Sequence, residues 1–237
     1  DITRDGLPPH DGLAMPVHLY GRPAPISERF AGRVIEDAAQ SHGQPLKGYA
    51  AVHSFYPTKN LGAAGQAGAV VTNDRDLAQR LRSLRIYGEE ERFVTRNEAT
   101  GNHRMDELQA SILRAKLPHL REWNLRRRAI AEQYRVGLAD LPGLVVPRDC
   151  PEHVYHAYVV RSPRRDSLAK HLAKAGIETS VRYPVPMHQM PIARSDWDHW
   201  NELSFPMVFW KKLTKRKLLR KNNCNILLGL NKLIYYI

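Results

Sequence analysis

Short apolar runs alternate with amphipathic helical stretches along most of this chain, and that alternation constrains its fold more than any other feature. Three apolar runs have the length of buried strands, namely residues 34–37, 50–55 and 68–72. Leucines then recur at helical spacing within 76–85, and a longer helical pattern starts at Met105. Strands separated by helices predict an α/β domain.

A second group of elements is expected in the later part of the chain. Pro118 bends or breaks the long helical pattern, which resumes from Leu120 to Leu138. Strand patterns beyond Gly143 cover residues 144–146, 155–160 and 177–183. A helical pattern over 166–175 lies between the last two. These elements predict a smaller α+β domain.

Cysteine usage and hydropathy exclude several classes of protein. The 237 residues include two cysteines, Cys150 and Cys224, which are too far apart to build a disulfide framework or a cysteine zinc site. No apolar run approaches the roughly 18 residues of a membrane span, and the first residues lack the basic start and apolar core of a signal peptide. We therefore predict a cytoplasmic protein that holds no metal and crosses no membrane.

The net charge of +12 is concentrated at the end of the chain. Residues 208–237 contain eight basic and no acidic residues, whereas the preceding 207 residues contain 28 basic and 24 acidic residues, a net charge of +4. The same segment is rich in residues with AT-rich codons, which suggests that the reading frame enters unrelated DNA near Met207. The alternative is a functional basic tail that binds nucleic acid or an anionic surface. We favour the first interpretation and expect no nucleic-acid partner.

Four side chains are candidates for chemistry because they follow predicted strands. Asp37 and Gln40 follow the first strand, Ser54 ends the second, and Lys59 comes next, before a glycine-rich stretch. Ligands bind at the carboxyl ends of strands in α/β sheets. A pyridoxal phosphate (PLP) site needs a lysine amine, a carboxylate for the pyridine nitrogen and a donor for the phosphate. Taken singly, Lys59, Asp37 and Ser54 fit a surface lysine, a strand-end acid and a turn hydroxyl better than functional residues.

Three long motifs resemble the DegT/DnrJ/StrS family of PLP-dependent sugar aminotransferases. They are residues 34–43 (VIEDAAQSHG), 54–62 (SFYPTKNLG) and 68–74 (GAVVTND). Shorter matches are residues 16–21 (PVHLYG), 85–88 (RIYG), 102–110 (NHRMDELQA) and 183–188 (YPVPMH). The resemblance covers about Met15 to Met207. It implies a partial type I PLP-transferase fold, with 1–118 as a remnant of the large PLP-binding domain, 119–207 as the small domain with its linking helix, and 208–237 as a basic tail outside the family.

The resemblance also implies roles for individual residues. Lys59 would be the catalytic Schiff-base lysine, Asp37 would pair with the pyridine nitrogen, Gln40 would lie against the cofactor ring or its phenolic oxygen, and Ser54 would bind the phosphate. Asn102 resembles an asparagine that reaches the phosphate of the neighbouring subunit, which implies a homodimer.

His188 matches a histidine near the nucleotide-sugar substrate. His42 also occupies a motif position, where a packed structural histidine is the alternative interpretation. The implied reaction is a ping-pong transamination from glutamate or glutamine to a keto sugar linked to a nucleotide.

Departures from the family pattern leave a second hypothesis open. The N-terminal third of a typical member has no counterpart, including the turn that caps the cofactor phosphate and the aromatic residue that stacks on the cofactor ring. Arg182 and His103 replace residues common in the family, and the basic tail replaces its last helix. The sequence is thus consistent with an aminotransferase or with an incomplete, catalytically inactive copy; a nucleic-acid or anionic-surface binder is the third hypothesis.

Overall fold

The computed structural model describes residues 12–26, 34–95, 101–185 and 190, and the backbone of 207–213. The chain divides into two compact units. The first contains residues up to Arg127 together with Cys150–His156, and the second contains Arg128–Asp149 and residues from Ala157 onward. Within the described residues, no helix is long and apolar enough to span a membrane.

A three-stranded sheet forms the centre of the first unit. Strand β1 (Ile35–Asp37) pairs in parallel with β2 (Ala50–Ser54), and β2 pairs antiparallel with β3 (Gly68–Thr72). On the other side of β1, Ala14 and Val17 form isolated parallel bridges with the strand region. These strands confirm the three apolar runs identified in the sequence.

Helices follow the sheet in the predicted order. Helix α1 (Arg75–Leu84) begins after Asp74, whose side chain accepts a hydrogen bond from the backbone N–H of Leu77 at 2.8 Å. A short hairpin, β4 (Glu89–Glu91) and β5 (Val94–Thr95), comes next. The mixed α/β architecture predicted from the sequence is therefore confirmed.

The long helical pattern is divided by a proline, as predicted. Helix α2 (Glu107–Lys116) leads into a 3-10 turn (Leu117–His119) that contains Pro118, and α3 (Leu120–Gly137) follows. Proline at the start of a turn fits because its missing N–H would have no helical partner there. Leu113 and Leu120 pack with Leu61 in the core of the first unit.

Beyond the end of α3 (residues 128–137), the described part of the second unit contains one helix and a three-stranded sheet. The elements are β6 (Val159–Arg161), α4 (Arg165–Lys174), β7 (Ile177–Ser180) and β8 (Met207–Leu213). Strand β8 lies between β6 and β7 and pairs antiparallel with both. The first part of the segment that we assigned to a basic tail thus supplies backbone pairing to this sheet.

Three strand predictions in this region were wrong in extent, and one of them, at 177–183, ends at Ser180 as β7. Residues 144–146 form a single bridge, Val145 with Arg161, rather than a strand. The predicted strand at 155–160 is reduced to β6, because Tyr155 has a φ of +44° and its N–H donates to Nδ1 of His153 at 3.0 Å. A left-handed backbone at that point interrupts an extended strand.

Candidate active site

Asp37 and Ser54 lie at the same edge and on the same face of the first sheet. The strands β1 and β2 are parallel, so their carboxyl ends meet at one edge, and Asp37 is aligned with Val52. Ser54 is two residues beyond Val52, and residues two apart on a strand share a face. The structure therefore brings together the carboxylate and the hydroxyl that the sequence selected.

Lys59 lies in the segment between β2 and β3, residues 55–67, which we call the lysine loop. The N–H of Phe55 donates to the carbonyl of Ala67, and the N–H of Ala63 donates to the carbonyl of Phe55, both at 2.8 Å. The N–H of Lys59 donates to the carbonyl of Tyr56 at 2.9 Å. These bonds give the loop a defined backbone that leaves from and returns to the edge carrying Ser54.

Helix α2 and the core hold the far side of the lysine loop. Nζ of Lys116 donates to the carbonyl of Gly62 at 2.7 Å, and Oε1 of Gln109 accepts from the N–H of Ala64 at 2.9 Å. Leu61 and Ala63 are buried in the core cluster. The loop is thus anchored by packing as well as by hydrogen bonds.

Gln40 follows β1 and contacts a strained backbone. Its Oε1 accepts a hydrogen bond from the N–H of Tyr20 at 2.6 Å, and Tyr20 has a φ of +61°. Because the bond uses the carbonyl end of the amide, the NH₂ end of Gln40 is the donor end for any other partner. This orientation is compatible with a role expected from the sequence, in which Gln40 donates to the phenolic oxygen of PLP.

His42 is a buried histidine beneath Ser54. Its Nε2 lies 2.8 Å from the carbonyl oxygen of Ser54, and its ring lies near the rings of His53 and Phe55. Burial lowers the pKa of His42 to about 4, with further lowering from the charges of His53 and Lys59. His42 is therefore a neutral, packed imidazole at pH 7, which supports the structural interpretation of this motif position.

The structure describes one of the two remaining candidate residues. Asn102 is exposed, forms an isolated bridge with Ile86, and its Oδ1 accepts from the backbone N–H and Nε of Arg104 at 3.2 and 2.9 Å. His188 lies outside the described residues. In the described part of the chain, no cluster of three or more histidine, cysteine or acidic residues has the arrangement of a metal site.

Comparison with known proteins identifies the family of this chain. The profile of the DegT/DnrJ/EryC1/StrS aminotransferase family matches residues 9–206. The chain belongs to this family. The match includes both units and ends just before β8.

Two curated members of the family illustrate the similarity. The chain is 43% identical over 205 residues to dTDP-3-amino-3,4,6-trideoxy-α-D-glucose transaminase of Streptomyces venezuelae, an alignment covering 80% of this chain and 54% of the relative. It is 38% identical over 200 residues to UDP-N-acetyl-3-dehydro-α-D-glucosamine 3-aminotransferase of Acidithiobacillus ferrooxidans, with coverage of 77% and 53%. The chain therefore spans about half the length of the curated relatives it matches.

Solved structures of the family share the fold. DesV of S. venezuelae, determined in complex with a ketimine intermediate, superposes with a TM-score of 0.78 at 41% identity, covering 86% of this chain and 61% of DesV. NtdA of Bacillus subtilis, determined with bound cofactor PMP, gives a TM-score of 0.72 at 26% identity, with coverage of 87% and 53%. The chain therefore has the same α/β fold as the part of these structures that it matches.

Two buried asparagines near Lys59 were not among the candidate residues predicted from the sequence. Asn60 directly follows Lys59 and is fully buried, and Asn124 on α3 is 9% exposed. Their side chains are joined by a hydrogen bond of 3.0 Å. Proximity to Lys59 is a sequence signal for Asn60, whereas no local pattern connects Asn124 to a residue 64 positions earlier.

Proposed function

We propose that this chain carries the cofactor-binding lysine of a PLP-dependent aminotransferase that transfers an amino group to a keto sugar linked to a nucleotide. The observation that carries the proposal is the placement of Asp37 and Ser54 on one face at one sheet edge, with Lys59 on the loop that leaves this edge. Family membership and the names of the relatives support the same reaction.

The donor set at this edge fits PLP. In the proposed arrangement Nζ of Lys59 holds the cofactor aldehyde, the carboxylate of Asp37 faces the pyridine nitrogen, and Oγ of Ser54 donates to the phosphate. The NH₂ end of Gln40 donates to the phenolic oxygen. When bound, PLP supplies an electron sink for negative charge at the substrate carbon.

Lys59 also moves the proton in this proposal. Nζ of Lys59 would act as the base that takes a proton from the substrate carbon and then as the acid that gives a proton back. His42 stays neutral because burial keeps its pKa near 4. The site therefore places no second positive charge from His42 beside the lysine.

The substrates and the assembly are part of the same proposal. We assign glutamate or glutamine as the amino donor and a nucleotide-linked keto sugar as the acceptor, with His188 near the sugar. Asn102, which is exposed on the first unit, would reach the cofactor phosphate of a second copy in a homodimer. The S. venezuelae and A. ferrooxidans relatives carry names of dTDP-sugar and UDP-sugar aminotransferases, which supports this substrate class.

Borohydride trapping tests the cofactor assignment directly. We would add PLP to the purified chain, reduce with borohydride, and locate pyridoxyl-lysine by peptide mass spectrometry. The expected result is modification of Lys59 and loss of the visible absorbance of the bound cofactor in Lys59→Ala. Lys170→Ala, which removes an exposed lysine on α4, is the matched control and should keep both signals.

Transamination is then tested with glutamate or glutamine and a dTDP- or UDP-linked keto sugar. Amino-sugar formation that requires both PLP and Lys59 is the expected result. Absent or scattered lysine labelling in folded protein would contradict the cofactor assignment and favour the inactive copy. Specific labelling of Lys59 without amino-sugar formation would support the cofactor assignment and contradict amino transfer to these sugars.

A further inference from the structure

A chain of buried amide hydrogen bonds runs beneath the lysine loop. Nδ2 of Asn60 donates to Oδ1 of Asn124 and to the carbonyl of Val154, each at 3.0 Å. Nδ2 of Asn124 donates to the carbonyl of His42 at 2.8 Å. The two asparagines therefore join the lysine loop to α3, to the segment 150–156 and to the turn after β1.

The donors and acceptors in this hydrogen-bond network match in only one orientation of each amide. Both N–H groups of Asn60 are used, and its Oδ1 lies 3.2 Å from Nδ1 of His156, so that ring nitrogen must donate. Rotating either asparagine amide by 180° would place like against like at the contact between Asn60 and Asn124. A buried network satisfied in this way favours a single conformation.

The network also connects two predicted cofactor-binding residues through the interior. Nε2 of His42 lies against the carbonyl of Ser54, and the carbonyl of His42 accepts from Asn124. Asn124 in turn holds Asn60, which is bonded covalently to Lys59. Positions of the backbone at Ser54 and at Lys59 are thus fixed relative to each other by groups on the buried side.

Gly43, in the turn after β1, leaves space for the side chain of Asn124. Gly43 has a φ of +93°, and a Cβ at this position would lie 2.9 Å from Nδ2 of Asn124. A residue with a side chain would therefore both strain the backbone and displace the amide. The glycine makes room for the hydrogen bond to His42.

We propose that Asn60 and Asn124 are a positioning pair for Lys59, which they hold in the orientation required by a carbonyl ligand. This inference rests on the proposed function for the identity of that ligand. Neither asparagine is assigned contact with PLP or substrate. Their role is to fix the backbone that carries the amine.

Removal of either amide tests the pair. In Asn60→Ala and Asn124→Ala we expect the apparent dissociation constant for PLP to rise by about tenfold or more, since small misplacements of a reacting group are costly. In the protein without PLP, the rate at which trace acetic anhydride labels Lys59 relative to Lys170 should rise on the order of threefold, because local opening exposes the amine. In the double variant, the dissociation constant for PLP and the labelling rate of Lys59 should each lie within about twofold of the values for Asn60→Ala, because the two residues act as one unit.

Ser162→Ala is the control for a general loss of stability. Ser162 is buried in the second unit, and its Oγ accepts from the N–H of Arg164 at 3.2 Å. The control should leave the relative labelling of Lys59 unchanged. If the asparagine variants match this control in both measurements, or if Asn124→Ala alone has no effect, the positioning pair is refuted.

Hydrogen exchange on the unaltered chain gives a test that requires no variant. The N–H of Lys59, bonded to Tyr56, should exchange as slowly as the amides of β2. Fast exchange there would overturn the proposal even if the variants fail to fold. If PLP does not label Lys59 in the unaltered chain, the proposed function fails, while the anhydride rates and the exchange rates still decide the positioning role.

Discussion

Nε2 of His18 lies 2.6 Å from Oε2 of Glu36, and the two side chains are only 3% and 2% exposed. Nδ1 of His18 accepts from the N–H of Ala24, so Nε2 carries the proton and donates to the carboxylate. The other oxygen of Glu36 accepts from the N–H groups of Lys47 and Gly48 at 2.7 and 2.5 Å. Burial raises the pKa of Glu36, but the hydrogen bonds from Gly48, His18 and Lys47 outweigh burial and hold this pKa below its usual value.

Replacement of Glu36 is expected to destabilise the chain strongly. Glu36→Ala leaves the buried Nε2–H of His18 and the partly buried N–H groups of Lys47 and Gly48 without their acceptor, and we expect the free energy of unfolding to fall by about 3–5 kcal/mol. Glu132→Ala is the matched control, because Glu132 pairs with Arg135 on the exposed surface of α3. Urea denaturation should show a large shift for the first variant and almost none for the second. Equal shifts would contradict the importance of the buried carboxylate.

Acidification should weaken the fold through His42. The folded pKa is about 4 and the ordinary value is 6.5, so between these pH values the unfolded chain binds a proton that the folded chain does not. The free energy of unfolding therefore falls as the pH falls through this window, with a limiting slope of about 1.4 kcal/mol per pH unit per histidine. The pKa of His53 is also lowered, mainly by burial, and this histidine adds a contribution of the same sign.

The variant His42→Gln isolates one part of this dependence. Glutamine does not titrate, and its amide is able to donate to the carbonyl of Ser54. Unfolding measured at several pH values between 6.5 and 5, above the range where Glu36 titrates, should show a shallower slope for the variant. An unchanged slope would mean that His42 is protonated in the folded chain at those pH values.

The sequence predicts the fold and the candidate site correctly where a strand pattern ends in side chains suited to ligand binding. The apolar runs of β1, β2 and β3 were recognisable because each is short and bounded by turn residues, and the carboxyl ends of the first two carry Asp37 and Ser54. The order of strands and helices followed from the same pattern. The grouping at one sheet edge could therefore be predicted from the sequence alone.

Other parts of the fold lack such a local signal. The hairpin of β4 and β5 begins with three glutamates, which have low strand propensity and no alternation. The segment 150–156 contacts the rest of the first unit through isolated hydrogen bonds, such as those of Val154 with the carbonyl of Gly21 and with Nδ2 of Asn60. Contacts of this kind depend on tertiary packing, so they could not be inferred from spacing along the chain.

The conformation of the lysine loop should depend on Gly62 more than on Gly65. A Cβ at Gly62 would lie 2.6 Å from the carbonyl oxygen of Pro57, whereas a Cβ at Gly65 would meet the flexible end of Gln109 at 3.3 Å. We expect Gly62→Ala to cost roughly 1–3 kcal/mol of stability and to accelerate labelling of Lys59 by anhydride. Gly65→Ala should change both much less. If the two variants behave alike, the close approach at Gly62 does not control the loop.

Two truncations distinguish the strand β8 from the basic residues that follow it. A chain ending at Leu213 keeps the strand that pairs with both β6 and β7, whereas a chain ending at Pro206 removes it and leaves those two strands without their shared partner. At about 1 kcal/mol for each lost backbone hydrogen bond, the shorter chain should lose several kcal/mol, and protease should cleave it faster between 159 and 180. The chain that ends at Leu213 should match the full chain in its unfolding midpoint and in its rate of cleavage by protease. If both truncations match the full chain, residues 207–213 contribute nothing to the stability of the second unit, although the family match ends at residue 206, just before them.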